Sequence, residues 1–153
     1  MELSEREDAA KKGRSGLESN VRITEWVKKR WPSLVALVIA ATGLPASADP
    51  MSMILFLAAL VYPISGAIRG HLRGIRPILI QMTALLFFGV IALVALFVDR
   101  DTSLILLAAG YLGHAIWDMV HFRNGKMVLR GYAEFCAVLD FLIAIILLIP
   151  IFM

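Results

Sequence analysis

The sequence predicts an all-α polytopic membrane protein, a bundle of about five transmembrane helices with a cytoplasmic N-terminus and an external C-terminus. Three observations lead to this prediction. Of the 153 residues, 59% are hydrophobic and 18% are charged, and the mean hydropathy is +0.79. The charges are crowded between long apolar runs, whereas soluble domains distribute their apolar residues periodically. Lys and Arg also alternate between successive loops, as the positive-inside rule requires.

The N-terminal region differs from the rest of the chain. We expect residues 1–30 to form a cytoplasmic polar tail, because residues 1–20 have mixed charge and little to bury. Beyond them, apolar and aromatic residues share one side of a helix among basic neighbours: Ile23, Trp26, Val27 and Trp31. This pattern predicts a short helix at the membrane interface, and a basic flank of the first span is the alternative. Residues 31–153 then form the transmembrane bundle.

Five apolar segments follow the tail, and each is predicted to cross the membrane. They cover residues 33–47, 51–68, 77–98, 102–122 and 132–153. The first segment is short for a span, which needs about 20 residues. The connections between segments are short, so consecutive helices are expected to be antiparallel neighbours.

The distribution of Lys and Arg predicts the orientation. Eight of these residues precede the first segment, and the four connections and the C-terminus carry none, three, one, three and none. The positive loops are expected to stay inside, in contact with anionic lipid headgroups, so we predict the cell (inner) membrane as the location. A signal peptide cleaved after residues 45–48, Pro-Ala-Ser-Ala, is an alternative that would leave four spans.

Some classes of function are disfavoured by composition. The net charge of +3 does not indicate nucleic-acid binding, because the basic residues flank apolar runs. The single cysteine, Cys136, excludes an intrachain disulfide framework and a CxxC redox pair. A membrane-protein partner or a homo-oligomer is compatible with this composition.

Polar residues are concentrated on the predicted cytoplasmic side of the spans. His114, Asp118 and His121 are spaced i, i+4, i+7 on the fourth segment, which places them on one stripe of a helix. On the fifth segment, Tyr132 and Asp140 lie eight residues apart and form a second stripe with Cys136. The two segments are joined by a short loop, so the stripes are expected to face each other. Two further residues are expected at this depth: Tyr62 and Gln81.

A carboxylate inside a membrane is costly unless it is paired, so this cluster needs an explanation. In the structural hypothesis, the polar side chains tie helices together. In the catalytic hypothesis, His114 and Asp118 are the acid–base pair of an enzyme or enzyme component that acts on a lipid-soluble substrate. His121 and Asp140 would then orient or ligate, and Tyr132 would hydrogen-bond the substrate.

The third hypothesis is a metal site, and its residues overlap with those of the catalytic hypothesis. His114, Asp118 and His121 would hold a divalent ion, with Asp140 or Cys136 as a fourth ligand from the neighbouring helix. A paired, metal-free cluster is favoured over this site, because three side chains of one helix seldom converge on one ion. The alternative to all active roles is a non-catalytic accessory or scaffold subunit of a membrane complex.

Overall fold

The structure, a computed structural model, describes Trp26, residues 30–41 and residues 48–153. The chain divides into two units, Met1–Trp31 and Pro32–Met153. The predictions of a polar tail, an interfacial helix and a cleavage site fall largely on residues outside the described ones. They stay predictions.

The described residues contain no strand, and their helices follow the predicted segments closely. The helices are α1 Arg30–Ala41, α2 Ala48–Ile68, α3 Ile75–Ala95, α4 Arg100–Asn124 and α5 Arg130–Phe152. The last four are each long and apolar enough to cross a membrane, which supports a multi-pass membrane protein. By contrast, α1 has 12 residues and extends only about 18 Å, less than the thickness of a bilayer core. The number of spans and the orientation of the termini therefore stay predictions.

Local sequence features explain where the long helices end. Gly74, immediately before α3, has φ +96°, and Gly125, immediately after α4, has φ +61°. Glycine alone adopts such backbone angles without strain, and the Gly125 N–H closes α4 by donating to the His121 carbonyl at 2.8 Å. At the opposite end of α4, the Asp99 carboxylate accepts a hydrogen bond from the Thr102 N–H at 3.0 Å. This bond lowers the pKa of Asp99 below its ordinary value of 3.8.

Helix α4 occupies the centre of the packed part of the bundle. Half of its most apolar stretch is buried, whereas only 22% of the corresponding stretch of α3 is buried. Near the connection between α3 and α4 the core is apolar and includes Leu55, Leu107 and Leu147. Toward the connection between α4 and α5 the buried residues become polar. The two halves of the core therefore differ in chemistry.

Candidate functional site

The polar half of the core is assembled from four helices around the C-terminal half of α4. Helix α4 supplies His114, Asp118 and His121, and each is buried. The other three long helices each contribute one further buried polar residue: Tyr62 from α2, Gln81 from α3 and Asp140 from α5. His114 lies ten residues before the end of α4, or about 15 Å along its axis, close to mid-depth for a helix of bilayer length.

Three of these side chains form a compact group, which we call the polar centre: His114, Asp118 and Asp140. One potential ligand atom from each lies within 4.8 Å of the other two. His114 Nδ1 is 2.7 Å from Asp140 Oδ2 and 3.5 Å from Asp118 Oδ2. The residues are only 1%, 0% and 4% exposed, so bulk water does not screen their charges.

The two carboxylates differ in how they are held. Asp118 Oδ1 accepts a hydrogen bond from the Tyr62 hydroxyl, which joins α2 to α4. Its second oxygen, Oδ2, is buried without a hydrogen-bond partner and faces His114 Nδ1. Asp140 Oδ2 lies at hydrogen-bond distance from the same Nδ1 atom, which joins α5 to α4. One carboxylate oxygen of Asp118 is therefore held by a hydrogen bond, while the other faces His114 without one.

The imidazole of His114 also has an atom without a partner. Its Nε2 is buried and makes no hydrogen bond. The Phe88 ring packs against the imidazole with the ring centroids 4.9 Å apart and an interplanar angle of 73°. Only the Nδ1 side of the ring therefore makes polar contacts, and that side faces the carboxylates.

His121 packs against the Tyr62 ring, with the ring centroids 4.2 Å apart, but makes its hydrogen bonds outside the polar centre. Its Nδ1 lies 2.9 Å from the Trp117 carbonyl oxygen, which can only accept, so Nδ1 carries the proton. Its Nε2 then accepts a hydrogen bond from the Gln81 amide at 3.0 Å. Both nitrogens are occupied, and this pair joins α3 to α4.

Tyr132 and Cys136 precede Asp140 on α5 by two turns and one turn of the helix. Tyr132 is 39% exposed and precedes Asp140 by eight residues, about 12 Å along the helix axis. Cys136 is partly buried and forms no disulfide. Of the five residues predicted as catalytic, the structure brings together His114, Asp118 and Asp140, and His121 and Tyr132 are not part of this group. The catalytic role of all five stays a prediction.

The sequence assigns no role to two buried residues that contact these side chains, Tyr62 and Gln81. It predicts their depth in the bundle, but depth alone does not identify a partner. Their position in the sequence could have identified them, because each is a polar residue within a mainly apolar stretch of α2 or α3. A polar residue in a membrane helix requires a hydrogen-bond partner, and the polar residues of α4 are candidates for that partner.

No family model, curated protein or solved structure compared with this chain matches it.

Proposed function

We propose that this multi-pass membrane protein binds a divalent cation in the polar centre. One observation carries the proposal: ligand atoms of His114, Asp118 and Asp140 converge within 4.8 Å in a buried site. The convergence is accompanied by a buried Asp118 oxygen that lacks a hydrogen-bond partner. One imidazole and two carboxylates are ligands suited to zinc, iron(II) or manganese(II).

The charges of the site favour a cation. Two carboxylates meet one imidazole, and no Lys or Arg is buried among the described residues. With both acids ionised and the imidazole neutral, a divalent cation makes the centre electrically neutral. An uncompensated charge near the middle of a membrane costs several kcal/mol, so a neutral centre is strongly preferred.

The distances require little rearrangement for an ion to bind. In a tetrahedral zinc site with bonds of about 2.1 Å, neighbouring ligand atoms are about 3.4 Å apart. The 3.5 Å separation of His114 Nδ1 and Asp118 Oδ2 already has this value. The 2.7 Å separation of His114 Nδ1 and Asp140 Oδ2 would lengthen by less than about 1 Å as the ion replaces the proton between them.

Tyr62 would support the site without ligating. Its hydroxyl donates to Asp118 Oδ1, which directs Oδ2 toward His114. Hydrogen bonds of this kind orient ligating carboxylates and are part of most metal sites. The proposed ligand set replaces the set of three from one helix that the spacing predicted, with Asp140 in the place of His121.

Metal analysis of purified protein tests the proposal and the choice of ligands together. Protein extracted in mild detergent without chelators, and protein reloaded with zinc after chelation, should each hold about one ion per chain. Asp140→Asn should lose most of the ion, whereas the matched variant His121→Gln should keep it. Size-exclusion profiles and circular dichroism confirm that each variant is folded, and Asp118→Asn provides a second ligand variant.

Two results would contradict the proposal. The first is wild-type protein that holds no transition metal after either preparation. The second is a loss of metal in His121→Gln as large as that in Asp140→Asn, which would favour a different ligand set.

An interhelical tie is the second candidate function for the polar centre. The observation that favours it is that the polar half of α4 makes a side-chain contact with each of the other long helices, through Tyr62, Gln81 and Asp140. Membrane bundles use such contacts to hold helices together. A metal-free wild-type protein whose Asp140→Asn variant unfolds more easily would support this role.

A further inference from the structure

An apolar groove runs along the outer surface of the bundle between α4 and α5. It has a volume of about 610 Å³, in the range of pockets that hold small ligands. Its walls are formed by exposed or half-buried apolar side chains, among them Leu112, Ile116, Val120 and Phe141. The small residues Ala115 and Ala137 also line it and leave room between the two helices. We call this feature the α4–α5 groove.

The length of the groove matches one leaflet of a membrane. Its lining on α4 extends from Leu112 to Arg123, eleven residues or about 16 Å along the helix axis. This distance is about half of the 30 Å thickness of a bilayer core. A hydrocarbon chain that lies parallel to the helices would fill the groove from the membrane surface to the middle.

The groove ends in positive charge. Arg123 lines it in the last turn of α4, is exposed, and forms no ion pair with any described residue. Lys126 follows in the next connection and Arg130 begins α5, and residues 123–130 include no acidic side chain. Arginine forms paired hydrogen bonds with a carboxylate or phosphate, and basic residues beside a span attract anionic headgroups.

We propose that the α4–α5 groove binds a single-chain lipid with an anionic headgroup. The chain lies against the groove residues of α4 and α5, and the headgroup pairs with Arg123. This inference does not depend on metal binding. If both hold, the bound chain lies beside the polar centre, because Ala115 follows His114 directly and Ala137 precedes Asp140 by one turn.

A second groove on the same molecule provides an internal comparison. It lies between α2 and α3, has a volume of about 1090 Å³, and is also lined by apolar side chains, including Phe56 and Leu86. Its ionisable lining residue is Asp49, and no Lys or Arg lines it. An anionic lipid is therefore expected to avoid this groove although it is larger.

Photolabelling of the protein in phosphatidylcholine vesicles tests the inference. The probe is a long-chain fatty acid with a diazirine at the end of its chain, and the corresponding alcohol is the neutral control. The acid should label peptides of the α4–α5 groove about three to five times more than the alcohol does, the effect expected of one partly exposed ion pair. Peptides that line the α2–α3 groove should show no preference for the acid.

Two sets of variants separate the contribution of the headgroup from that of the hydrocarbon chain. Arg123→Gln should reduce labelling by the acid to the level of the alcohol, Arg123→Lys should restore much of it, and Arg100→Gln at the other end of α4 should have no effect. Val120→Trp, which fills the groove, should reduce labelling by both probes, whereas Ile105→Trp outside the groove should not. Equal labelling by acid and alcohol, or acid labelling spread around the whole lipid-facing surface, would overturn the inference.

Discussion

The two halves of α4 bury similar amounts of side chain but use different chemistry to hold the neighbouring helices. In the first half most buried residues are small or apolar, such as Leu104, Leu107 and Gly110. Its two buried hydroxyls, of Ser103 and Tyr111, donate to backbone carbonyl oxygens. In the second half His114, Asp118 and His121 are buried. The first half therefore depends on close packing and on hydrogen bonds to the backbone of its neighbours, and the second on contacts between polar side chains.

The difference shows how one helix can organise a membrane bundle. Between helices in lipid the hydrophobic effect gives little driving force, so packing and hydrogen bonds decide which faces meet. The apolar half lets α2 and α3 approach closely at Gly110, where a side chain would meet Leu55 and Ile91. The polar half fixes the rotation of α4, because its polar residues are matched with residues on three different helices.

The largest loss of stability is expected from a substitution in the polar half of α4. His114→Leu would leave Asp118 and Asp140 buried beside each other without the imidazole that both carboxylates face. Removing one member of a buried charged group typically costs about 3–5 kcal/mol, so the free energy of unfolding should fall by that amount. Equilibrium unfolding in mixed micelles measures it, with His71→Leu in an exposed loop as the control. Equal stability of the two variants would show that the polar centre does not stabilise the fold.

The sequence predicted the positions of these helices well but not the contacts between them. Apolar runs and basic connections placed the starts and ends of α2 to α5 within about three residues, because the hydropathy of each span follows from the chain itself. The expectation that the polar stripes of α4 and α5 face each other is confirmed for His114 and Asp140. The short connection between the two helices made that part predictable.

The ligand set required information that helical periodicity does not contain. His114 and His121 share a stripe, but seven residues separate them by about 10 Å along the axis. Ligand atoms of one ion lie within about 4 Å of each other, so height matters as much as direction. Asp140 reaches His114 because α5 is antiparallel to α4 and places it at the same height, ten residues from its end of the connection. That alignment depends on the relative shift of two helices.

A substitution in the apolar half of α4 should cause an intermediate loss of stability. Two glycines of α4, Gly110 and Gly113, allow this loss to be measured against a control. A methyl group on Gly110 would lie 2.8 Å from Leu55 Cδ2 and 2.9 Å from Ile91 Cγ2, closer than carbon atoms pack. The nearest neighbour of a methyl group on Gly113 is Phe88 Cε1 at 3.5 Å, an ordinary contact. Gly110→Ala should therefore lower the free energy of unfolding by about 1–3 kcal/mol, the usual cost of overpacking.

Gly113→Ala is the matched control for this comparison. Alanine favours the helix by up to about 1 kcal/mol relative to glycine, so this variant should be neutral or slightly more stable than wild type. Thermal unfolding in detergent, followed by circular dichroism, ranks the two. If Gly110→Ala is as stable as Gly113→Ala, close approach at Gly110 does not determine the packing of this half.

The smallest change in stability is expected at the start of α4, where the acidic residue Asp99 is exposed instead of buried. Asp99 caps the helix, and its hydrogen bond from the Thr102 N–H lowers its pKa below 3.8. A carboxyl whose pKa is lower in the folded state stabilises the fold above its unfolded pKa, and this contribution disappears as the pH falls through the folded value. Asparagine also caps helices but does not titrate in this range.

Wild type should therefore lose stability relative to Asp99→Asn as the pH falls from about 5 to 3, and the difference should be constant above pH 5. Thermal unfolding of both proteins at several pH values measures this, and parallel curves throughout would show that the cap does not depend on the charge of Asp99. Because water surrounds this carboxylate, its effect should remain well below that of His114→Leu, which concerns acids that water does not reach.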